Sequence, residues 1–238
     1  DTGGIESYYY EEWQEKNNSY SLGEDTICMY LKSDGIKKLD YLILTHGDYD
    51  HLGETLSILE CIKVNNVIFN SGEVNANESN IINVLEDKNI SYYFYKDKDV
   101  LNISNYELLF LNPSIIYDNE NDNSLVIYLD INNYKFLFTG DISQSVEESI
   151  IDEYDLDIDI LKVAHHGSKT SSSYEFLNNI TPLYSIISVG VDNKFGHPSS
   201  ITLNNLKKVN SKIYNTSIDG SVKFKIKNGK IKIITCSS

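Results

Sequence analysis

Thr45-His46-Gly47-Asp48-Tyr49-Asp50-His51, directly after the apolar run 41–44, is the stretch that decides the fold of this chain. It holds two imidazoles and two carboxylates, and the whole chain has only five histidines. Such a cluster at the end of a buried strand adds nothing to core packing, whereas zinc, manganese and iron accept both groups as ligands. The alternative is a solvated loop with helix-capping aspartates, but a cap needs one aspartate and no histidine. The stretch therefore predicts a metal-binding loop.

The spacing within this loop suggests two cations. His46 and Asp48 lie two residues apart in an irregular turn, so both can point to one cation. Asp50 and His51 can turn toward a second cation nearby.

Length and composition bound the class of protein. With 238 residues, 41% hydrophobic and 23% charged, we expect one globular domain spanning 1–238. The net charge of −15 disfavours binding of nucleic acid over a broad electrostatic surface, but an enzyme can still contact phosphates through bound cations. No apolar run approaches 18 residues and no signal peptide is visible. The chain starts at Asp1 without an initiator methionine, so we expect upstream sequence to have been removed.

The three cysteines, Cys28, Cys61 and Cys236, are scattered and odd in number. We therefore predict neither a disulfide framework nor a thiolate metal site, and interpret them as small buried apolar residues.

Apolar runs alternate with helical patterns, which predicts an α/β architecture. Candidate strands are 41–45, 67–70, 92–95, 107–111, 125–131, 135–139, 158–163 and 185–189. Candidate helices are 25–33, 54–62, 77–88, 145–154, 172–179 and 201–209. A hairpin around Asn228-Gly229 closes the chain, and its alternating lysines are interpreted as the solvated face of an edge hairpin.

Three more candidate strands end in polar loops. The first delivers Asp141 after Thr139-Gly140, either as a carboxylate bridging two metals or as a helix cap.

The second strand delivers His165 and His166, and adjacent histidines after a buried strand rarely serve core packing. The hydroxyl-rich run that follows, including Ser168 and Ser171, is placed to contact an anionic substrate or to cap the next helix. The third is followed by Asn193, Lys194 and His197, which predict substrate binding or proton transfer.

Together these motifs resemble the metallo-β-lactamase superfamily. The resemblance is carried by Asp1-Thr2-Gly3-Gly4, the loop 45–51, Thr139-Gly140-Asp141 and His165-His166-Gly167-Ser168. Asn123-Ser124 and Asn193 with Gly196-His197-Pro198 are similar in particular to the hydrolase-like domain of DNA-uptake competence proteins of the ComEC type. The match covers nearly the whole chain.

The resemblance implies a fold and a set of metal ligands. The fold is a four-layer αββα sandwich, with its first strand or strands missing before Asp1. Two divalent ions, zinc or manganese, are implied. The implied ligands are His46 and Asp48 for the first metal, Asp50, His51 and His165 for the second, and Asp141 as the bridge. Asp1 is implied as a carboxylate that orients the loop by hydrogen bonds.

This chain departs from the usual superfamily pattern at two positions. Asp48 stands where the loop commonly has a second histidine, and no histidine lies between His51 and His165. Asn123 is the nearest polar candidate in that interval. The first metal site is therefore poorer in nitrogen ligands and favours an oxygen-preferring ion such as manganese.

The function implied is hydrolysis of a phosphodiester, with DNA as the substrate during competence-type uptake. Asp50 or Asp141 is expected to orient the attacking oxygen, and His166 or His197 to protonate the leaving oxygen. A small-molecule phosphoesterase of the phosphorylcholine esterase type is the first alternative. A domain that binds metal without catalysis is the second.

The branch also implies a place in the cell. We expect the extracellular side, with membrane attachment only through a larger parent protein or a missing N-terminal segment. No obligate protein partner is evident in the sequence.

Overall fold

The computed structural model describes residues 1–4, 20–111 and 116–236. These residues fall into two compact units, Asp1–Tyr95 and Lys96–Ser238. Of the Tyr-rich segment 8–20, only Tyr20 is among the described residues, and residues 112–115 also lie outside them. No helix among the described residues is both long and apolar enough to cross a membrane. The single domain predicted for 1–238 stays a prediction.

The first unit is an α/β arrangement around a small parallel sheet. After a π-helical segment, Leu22–Cys28, its elements are α1 (Met29–Ser33), β1 (Lys38–Leu39), β2 (Leu42–Ile43), α2 (Tyr49–Leu52), α3 (Thr55–Cys61), β3 (Lys63–Val64), β4 (Asn66–Asn70), α4 (Ala76–Asp87) and β5 (Ser91–Tyr95). The main sheet has the order β2-β4-β5, all parallel, and β1 pairs with β3. The polar loop 45–51 therefore leaves the carboxyl end of an edge strand.

Burial in the core of this unit explains why its central strand is apolar. Val67, Ile68 and Phe69 in the central strand β4 are fully buried, as is typical of a parallel strand covered on both faces. Leu85 from α4 and Ile58 from α3 are buried in the same unit.

A disulfide between Cys28 and Cys61 links the N-terminal helical segment to the end of α3. The prediction that the cysteines form no disulfide is therefore wrong for this pair. The two residues are 33 positions apart, so only tertiary packing brings them together. The third cysteine, Cys236, is free and exposed.

The second unit is built on a seven-stranded mixed sheet. Its elements are β6 (Val100–Ile103), β7 (Tyr106–Phe110), β8 (Ile127–Ile131), β9 (Tyr134–Phe138), α5 (Gln144–Glu153), β10 (Ile160–Lys162), α6 (Tyr174–Ile180), β11 (Tyr184–Ile187), α7 (Ser200–Lys208), β12 (Lys212–Asn215), α8 (Thr216–Asp219), β13 (Ser221–Lys227) and β14 (Lys230–Cys236). The sheet order is β12-β11-β10-β9-β8-β7-β6, and β13 pairs with β14 in a separate hairpin.

Strand direction places the loops of this unit. Strands β6 to β9 pair antiparallel, whereas β9, β10, β11 and β12 pair parallel. The carboxyl ends of β9, β10 and β11 therefore lie side by side at one edge of the sheet. Loops after neighbouring parallel strands converge at such an edge, which is where open α/β sheets bind ligands.

Candidate metal centre

The loop 45–51 of the first unit is held by side-chain amides. Asn70, at the end of β4, donates its Nδ2 to the carbonyl of Thr45 at 3.2 Å. Asn75 and Asn77 donate their Nδ2 groups to the carbonyl of Gly47 at 3.0 and 3.1 Å. These bonds satisfy carbonyls that a loop leaves without ladder partners, so residues 45–48 have a fixed shape without regular secondary structure.

Asp1, the first residue of the chain, orients this loop. Its carboxylate accepts the backbone N–H of Thr45 at 2.8 Å and the Thr45 hydroxyl at 3.1 Å. It also lies 3.0 Å from Nδ1 of His51. A carboxylate at this distance favours a proton on Nδ1 and leaves the lone pair of the neutral ring on Nε2, the form that a metal ligand needs.

His46 is a second candidate ligand in the same loop. Its side chain is fully buried, and its Nδ1 lies 3.1 Å from the Thr45 hydroxyl. Within the described ranges, its Nε2 has no hydrogen-bond partner, and Oδ2 of Asp48 lies 3.6 Å from it. A buried nitrogen without a partner costs about 1–3 kcal/mol, and coordination to a cation removes that cost. The His46 and Asp48 pair therefore fits a divalent metal.

Asp50 and His51 follow in the first turn of α2, which begins directly after Asp48. His51 is buried and its ring centroid lies 4.2 Å from that of His46, whereas Asp50 is exposed. The first unit thus brings together Asp1, His46, Asp48 and His51, as the sequence motif predicts for one loop.

The second unit gathers Asp141, His165 and His166. Oδ2 of Asp141 lies 3.4 Å from Nε2 of His166 and 4.0 Å from Nε2 of His165. These residues come from the loops after β9 and β10, whose adjacent parallel ends bring them together. Two imidazoles and one buried carboxylate form a donor set suited to a divalent cation.

The backbone that carries the two histidines is left-handed. The φ angles of His165, His166 and Gly167 are 49°, 51° and 83°. Two consecutive non-glycine residues in this region are uncommon and cost about 1–3 kcal/mol each, so the surrounding structure must impose the conformation. Such strain is typical of a functional site rather than of a packing solution.

The tautomer of His166 follows from its other nitrogen. Nδ1 of His166 lies 2.7 Å from the carbonyl oxygen of Ser188, which can only accept, so Nδ1 carries the proton. In the neutral ring the lone pair is then on Nε2, facing the Asp141 carboxylate at 3.4 Å. Two acceptors face each other, and a cation or a second proton must lie between them. Two ligands of one metal ion are typically about 3–3.5 Å apart, so a metal fits this arrangement.

Three residues for which the sequence analysis predicted no role hold Asp141 and the turn that follows it. The hydroxyl of Ser124 accepts the Asp141 N–H at 3.0 Å, and the Asp122 carboxylate accepts the N–H of Ser143 at 2.7 Å. The ammonium of Lys162 lies 3.7 Å from Oδ1 of Asp141. Asp122 and Ser124 precede an apolar strand next to the Asp141 strand, and this adjacency is the signal that could have identified them.

Asn123 has a different role from the one that the resemblance suggests. Its side chain accepts the N–H of Tyr117 and donates to the Tyr117 carbonyl, both at 2.8 Å. These two bonds hold the polar loop before β8. We therefore interpret Asn123 as a loop clamp rather than as a residue that contacts metal ligands.

The serines after the His-His pair also bond inward. Ser171 is buried and donates to the carbonyl of Ile142 at 2.7 Å. The Ser168 hydroxyl, also buried, lies 2.9 Å from that of Thr170. These contacts give both serines a role in holding the loop and do not support the predicted contact with substrate.

The buried carboxyl of Glu147 completes this loop. It accepts the backbone N–H groups of Ser172 and of Ser173, the latter at 2.9 Å. Burial raises the pKa of Glu147 to about 7, although both N–H groups act in the opposite direction. Sequence alone does not distinguish this glutamate from its exposed neighbours on an acidic helix.

The loop after β11 presents His197 through a clamp. The Asn193 side chain accepts the N–H of His197 at 2.9 Å and donates to its carbonyl at 2.6 Å. Asn193 therefore positions His197, and the neighbouring Lys194 is exposed. Burial lowers the pKa of His197, as do the charges of His165 and His166, whereas Asp141 raises it. Its ring centroid lies 5.8 Å from that of His165.

Comparisons with known proteins agree with these motifs. The family model of the Metallo-beta-lactamase superfamily matches residues 1–191. ComE operon protein 3 of Bacillus subtilis (strain 168) is 33% identical over 96% of this chain and 30% of its own length. Competence protein ComA of Neisseria gonorrhoeae is 27% identical over 85% of this chain and 27% of its own length. The chain thus spans less than a third of these relatives.

A solved structure shows the fold. The metallo-β-lactamase fold protein YhfI from Bacillus subtilis has a TM-score of 0.50 at 13% identity, covering 82% of this chain and 77% of its own. The predicted fold class is confirmed. The chain belongs to the metallo-β-lactamase superfamily of metal-dependent hydrolases, and its curated relatives are competence proteins of the ComEC type.

Proposed function

We propose that this chain is a metal-dependent phosphodiesterase that hydrolyses a DNA strand during competence-type uptake. Membership of the superfamily supports metal-dependent hydrolysis, and the competence relatives support DNA as the substrate. The alternatives, a small-molecule phosphoesterase and a non-catalytic metal binder, have no comparable support from the relatives.

One observation carries the catalytic part of this proposal. Nε2 of His166 faces the Asp141 carboxylate at 3.4 Å while its Nδ1 is held by the Ser188 carbonyl. This geometry is suited to a shared cation, and a domain that had lost its metal chemistry would have no use for it. The backbone of His165 and His166 is also strained, and metal binding by their side chains gives a reason for that strain.

The proposed ligands hold two divalent ions, zinc or manganese. They comprise the set implied by the superfamily, together with His166, which the His166–Asp141 geometry adds: His46, Asp48, Asp50, His51, Asp141, His165 and His166. Metal ions in such sites activate water and offset the charge that develops on phosphate oxygens.

The remaining roles belong to side chains of the chain itself. The carboxylate of Asp50 or Asp141 orients the attacking oxygen. His197, fixed by Asn193, protonates the leaving oxygen. Lys194 is exposed on the same loop and contacts the phosphate.

Hydrolysis of two substrates tests this function. We expect the full chain, loaded with manganese or zinc, to cleave bis(p-nitrophenyl) phosphate and a 5′-labelled DNA single strand. Asp50→Ala should reduce both rates at least about a hundredfold. Asp87→Ala, an exposed carboxylate at the end of α4, should leave them unchanged. Full activity in Asp50→Ala, or cleavage of choline phosphoesters alone, would contradict the proposal.

The setting of the domain is part of the proposal. Because the chain spans less than a third of its relatives, we propose that it acts within a larger protein, through which it is attached to a membrane. The Cys28–Cys61 disulfide supports an extracellular position, since disulfides persist on the oxidising side of the membrane.

A further inference from the structure

The C-terminal hairpin β13–β14 carries an unusual concentration of positive charge. Five of the 20 basic residues of the chain fall within 221–236, and this segment has no Asp or Glu. The chain as a whole has a net charge of −15. The hairpin is therefore a basic element on an acidic protein, and its five lysines are Lys223, Lys225, Lys227, Lys230 and Lys232.

All five lysines lie on one face of the hairpin. In the antiparallel register Lys225 lies opposite Lys232 and Lys227 lies opposite Lys230. Lys223 is two positions before Lys225 and shares its face. We call this surface the lysine face.

The opposite face is anchored to the seven-stranded sheet. The Phe224 ring contacts the rings of Phe136 in β9 and Tyr184 in β11, with centroids 6.1 and 6.3 Å apart. The hydroxyl of Tyr134 donates to the carbonyl of Gly229 in the turn at 3.3 Å. Because the apolar face is used for packing, the lysine face is turned outward.

Four of the five lysines of this face have no carboxylate partner within the described part of the chain. Lys225, Lys227, Lys230 and Lys232 are exposed, and no carboxylate of the described residues forms an ion pair with them. Like charges directly opposite each other in a β-ladder are destabilising, and this hairpin has two such pairs. An anion that bridges the pairs removes the repulsion.

We propose that the lysine face binds the phosphodiester backbone of single-stranded DNA. This rests on the proposed function in taking DNA as the polyanion. Alternate residues of a strand are about 6.6 Å apart, so the lysines form a regular row suited to a regular row of phosphates. A membrane-binding surface would place several large apolar side chains among its lysines, whereas this face has Ile234, which lies opposite Lys223 and is partly buried. The hairpin gives an acidic protein one local surface on which a DNA strand can be held.

The test is a binding measurement on the full chain. A fluorescein-labelled 30-residue oligothymidylate is titrated in EDTA, which prevents cleavage, over a series of salt concentrations. The test variant is Lys225→Gln, Lys227→Gln, Lys230→Gln and Lys232→Gln combined. The matched control removes the same charge from exposed lysines elsewhere: Lys32, Lys37, Lys63 and Lys96 to Gln.

We expect the test variant to raise the dissociation constant at least about tenfold at low salt. The slope of log K against log salt should fall by about 3, which is four contacts at about 0.7 each. The control variant and an uncharged methylphosphonate strand show whether the effect is local and ionic. The control should bind like the wild type, and the methylphosphonate strand should not bind. Thermal unfolding of the test variant should be unchanged or occur at a higher temperature, because the opposed lysines are gone.

Two outcomes would contradict the proposed DNA-binding surface: wild-type DNA affinity in the test variant, or equal losses of DNA affinity in the test and control variants. Binding to phosphatidylglycerol vesicles that depends on the four lysines, with DNA binding unchanged, would assign the face to a membrane instead. Hydrolysis of bis(p-nitrophenyl) phosphate, a substrate too small to span the hairpin, separates the two proposals. Lysine-dependent DNA binding without such hydrolysis would refute only the nuclease, whereas hydrolysis with lysine-independent binding would refute only the surface.

Discussion

Nδ1 of His166 donates to the carbonyl oxygen of Ser188 at 2.7 Å, and this bond fixes the ring in the loop after β10 from the loop after β11. A backbone carbonyl on one ring nitrogen is the usual partner of a histidine whose other nitrogen binds metal. His165 lies farther from Asp141: its Nε2 is 4.0 Å from Oδ2 of Asp141, whereas Nε2 of His166 is 3.4 Å from the same atom. The structure thus favours His166 as a ligand in addition to the residue that the motif suggests.

The first prediction concerns His166. We expect His166→Ala to lower the affinity for manganese or zinc at least about tenfold, because it removes a preoriented ligand. Metal affinity is measured by competition with a chromogenic chelator, independently of catalysis. Asn178→Ala, on the surface of α6, serves as the control. Unchanged metal affinity in His166→Ala would restrict His166 to proton transfer.

The second prediction concerns Asp1. Asp1→Asn keeps the shape of the side chain but removes the charge that orients Nδ1 of His51. We expect metal affinity to fall about 10–100-fold, the usual effect of losing a carboxylate partner of a ligand histidine. The same chelator competition measures it, with Asp87→Asn as the control. An affinity equal to that of the wild type would show that the Thr45 contacts alone hold the loop.

The sequence was sufficient to locate most of the strands and the ligand-bearing loops. Each predicted strand overlaps an observed strand, because apolar runs of that length in an α/β chain usually form strands. The loops with His and Asp directly follow β2, β9 and β10. Each motif therefore marks the end of a strand, and each strand end supports the assignment of its motif. The strands β1 and β3 were not predicted, since two-residue strands leave no periodic signal, and the four-residue strands β6 and β12 were also missed.

What the sequence could not show depends on contacts between distant residues. Cys28 and Cys61 form their disulfide across 33 positions, and nothing in their local sequence indicates it. Ser171 belongs to a hydroxyl-rich run that suggests substrate binding, yet its hydroxyl bonds to Ile142 in the interior. Local composition predicts the kind of group in a loop, whereas tertiary packing decides which way it points.

The third prediction concerns the pH dependence of stability through Glu147. Its pKa is raised by burial to about 7, so the folded state holds the proton more tightly than the unfolded state, whose pKa is 4.5. The resulting stabilisation is present at low pH and is lost as pH rises through about 7. Between pH 6 and 8 the wild type should lose about 1 kcal/mol of unfolding free energy that Glu147→Gln does not lose.

Urea unfolding at pH 6, 7 and 8 measures this difference. Glu148→Gln, an exposed neighbour on α5, controls for general charge and should follow the wild type. Parallel pH profiles for the wild type and Glu147→Gln would show that the two backbone N–H bonds keep Glu147 ionised at all three pH values.

The fourth prediction concerns the disulfide. Breaking Cys28–Cys61, by reduction or by Cys28→Ser, releases a constraint on a segment of 33 residues and should cost about 3 kcal/mol of unfolding free energy. Chemical unfolding with and without dithiothreitol measures the loss. Cys236→Ser should have no effect, because Cys236 is exposed and free. Identical unfolding of oxidised and reduced protein would remove the support that the disulfide gives to an extracellular position.

The fifth prediction concerns Gly167, which follows the two histidines. Its φ of 83° is unfavourable for any other residue, and an added Cβ would lie 2.7 Å from Cβ of Pro198. Gly35 has a similar φ of 75° but open space around it. Gly35→Ala should therefore cost about 1 kcal/mol from backbone strain alone. Gly167→Ala should cost more and should also weaken metal binding, because the crowded loop moves His166 away from Asp141. Unfolding free energies and chelator competition for the two variants measure both effects. Equal losses of stability with unchanged metal affinity would show that the loop absorbs the added methyl group without moving the histidines.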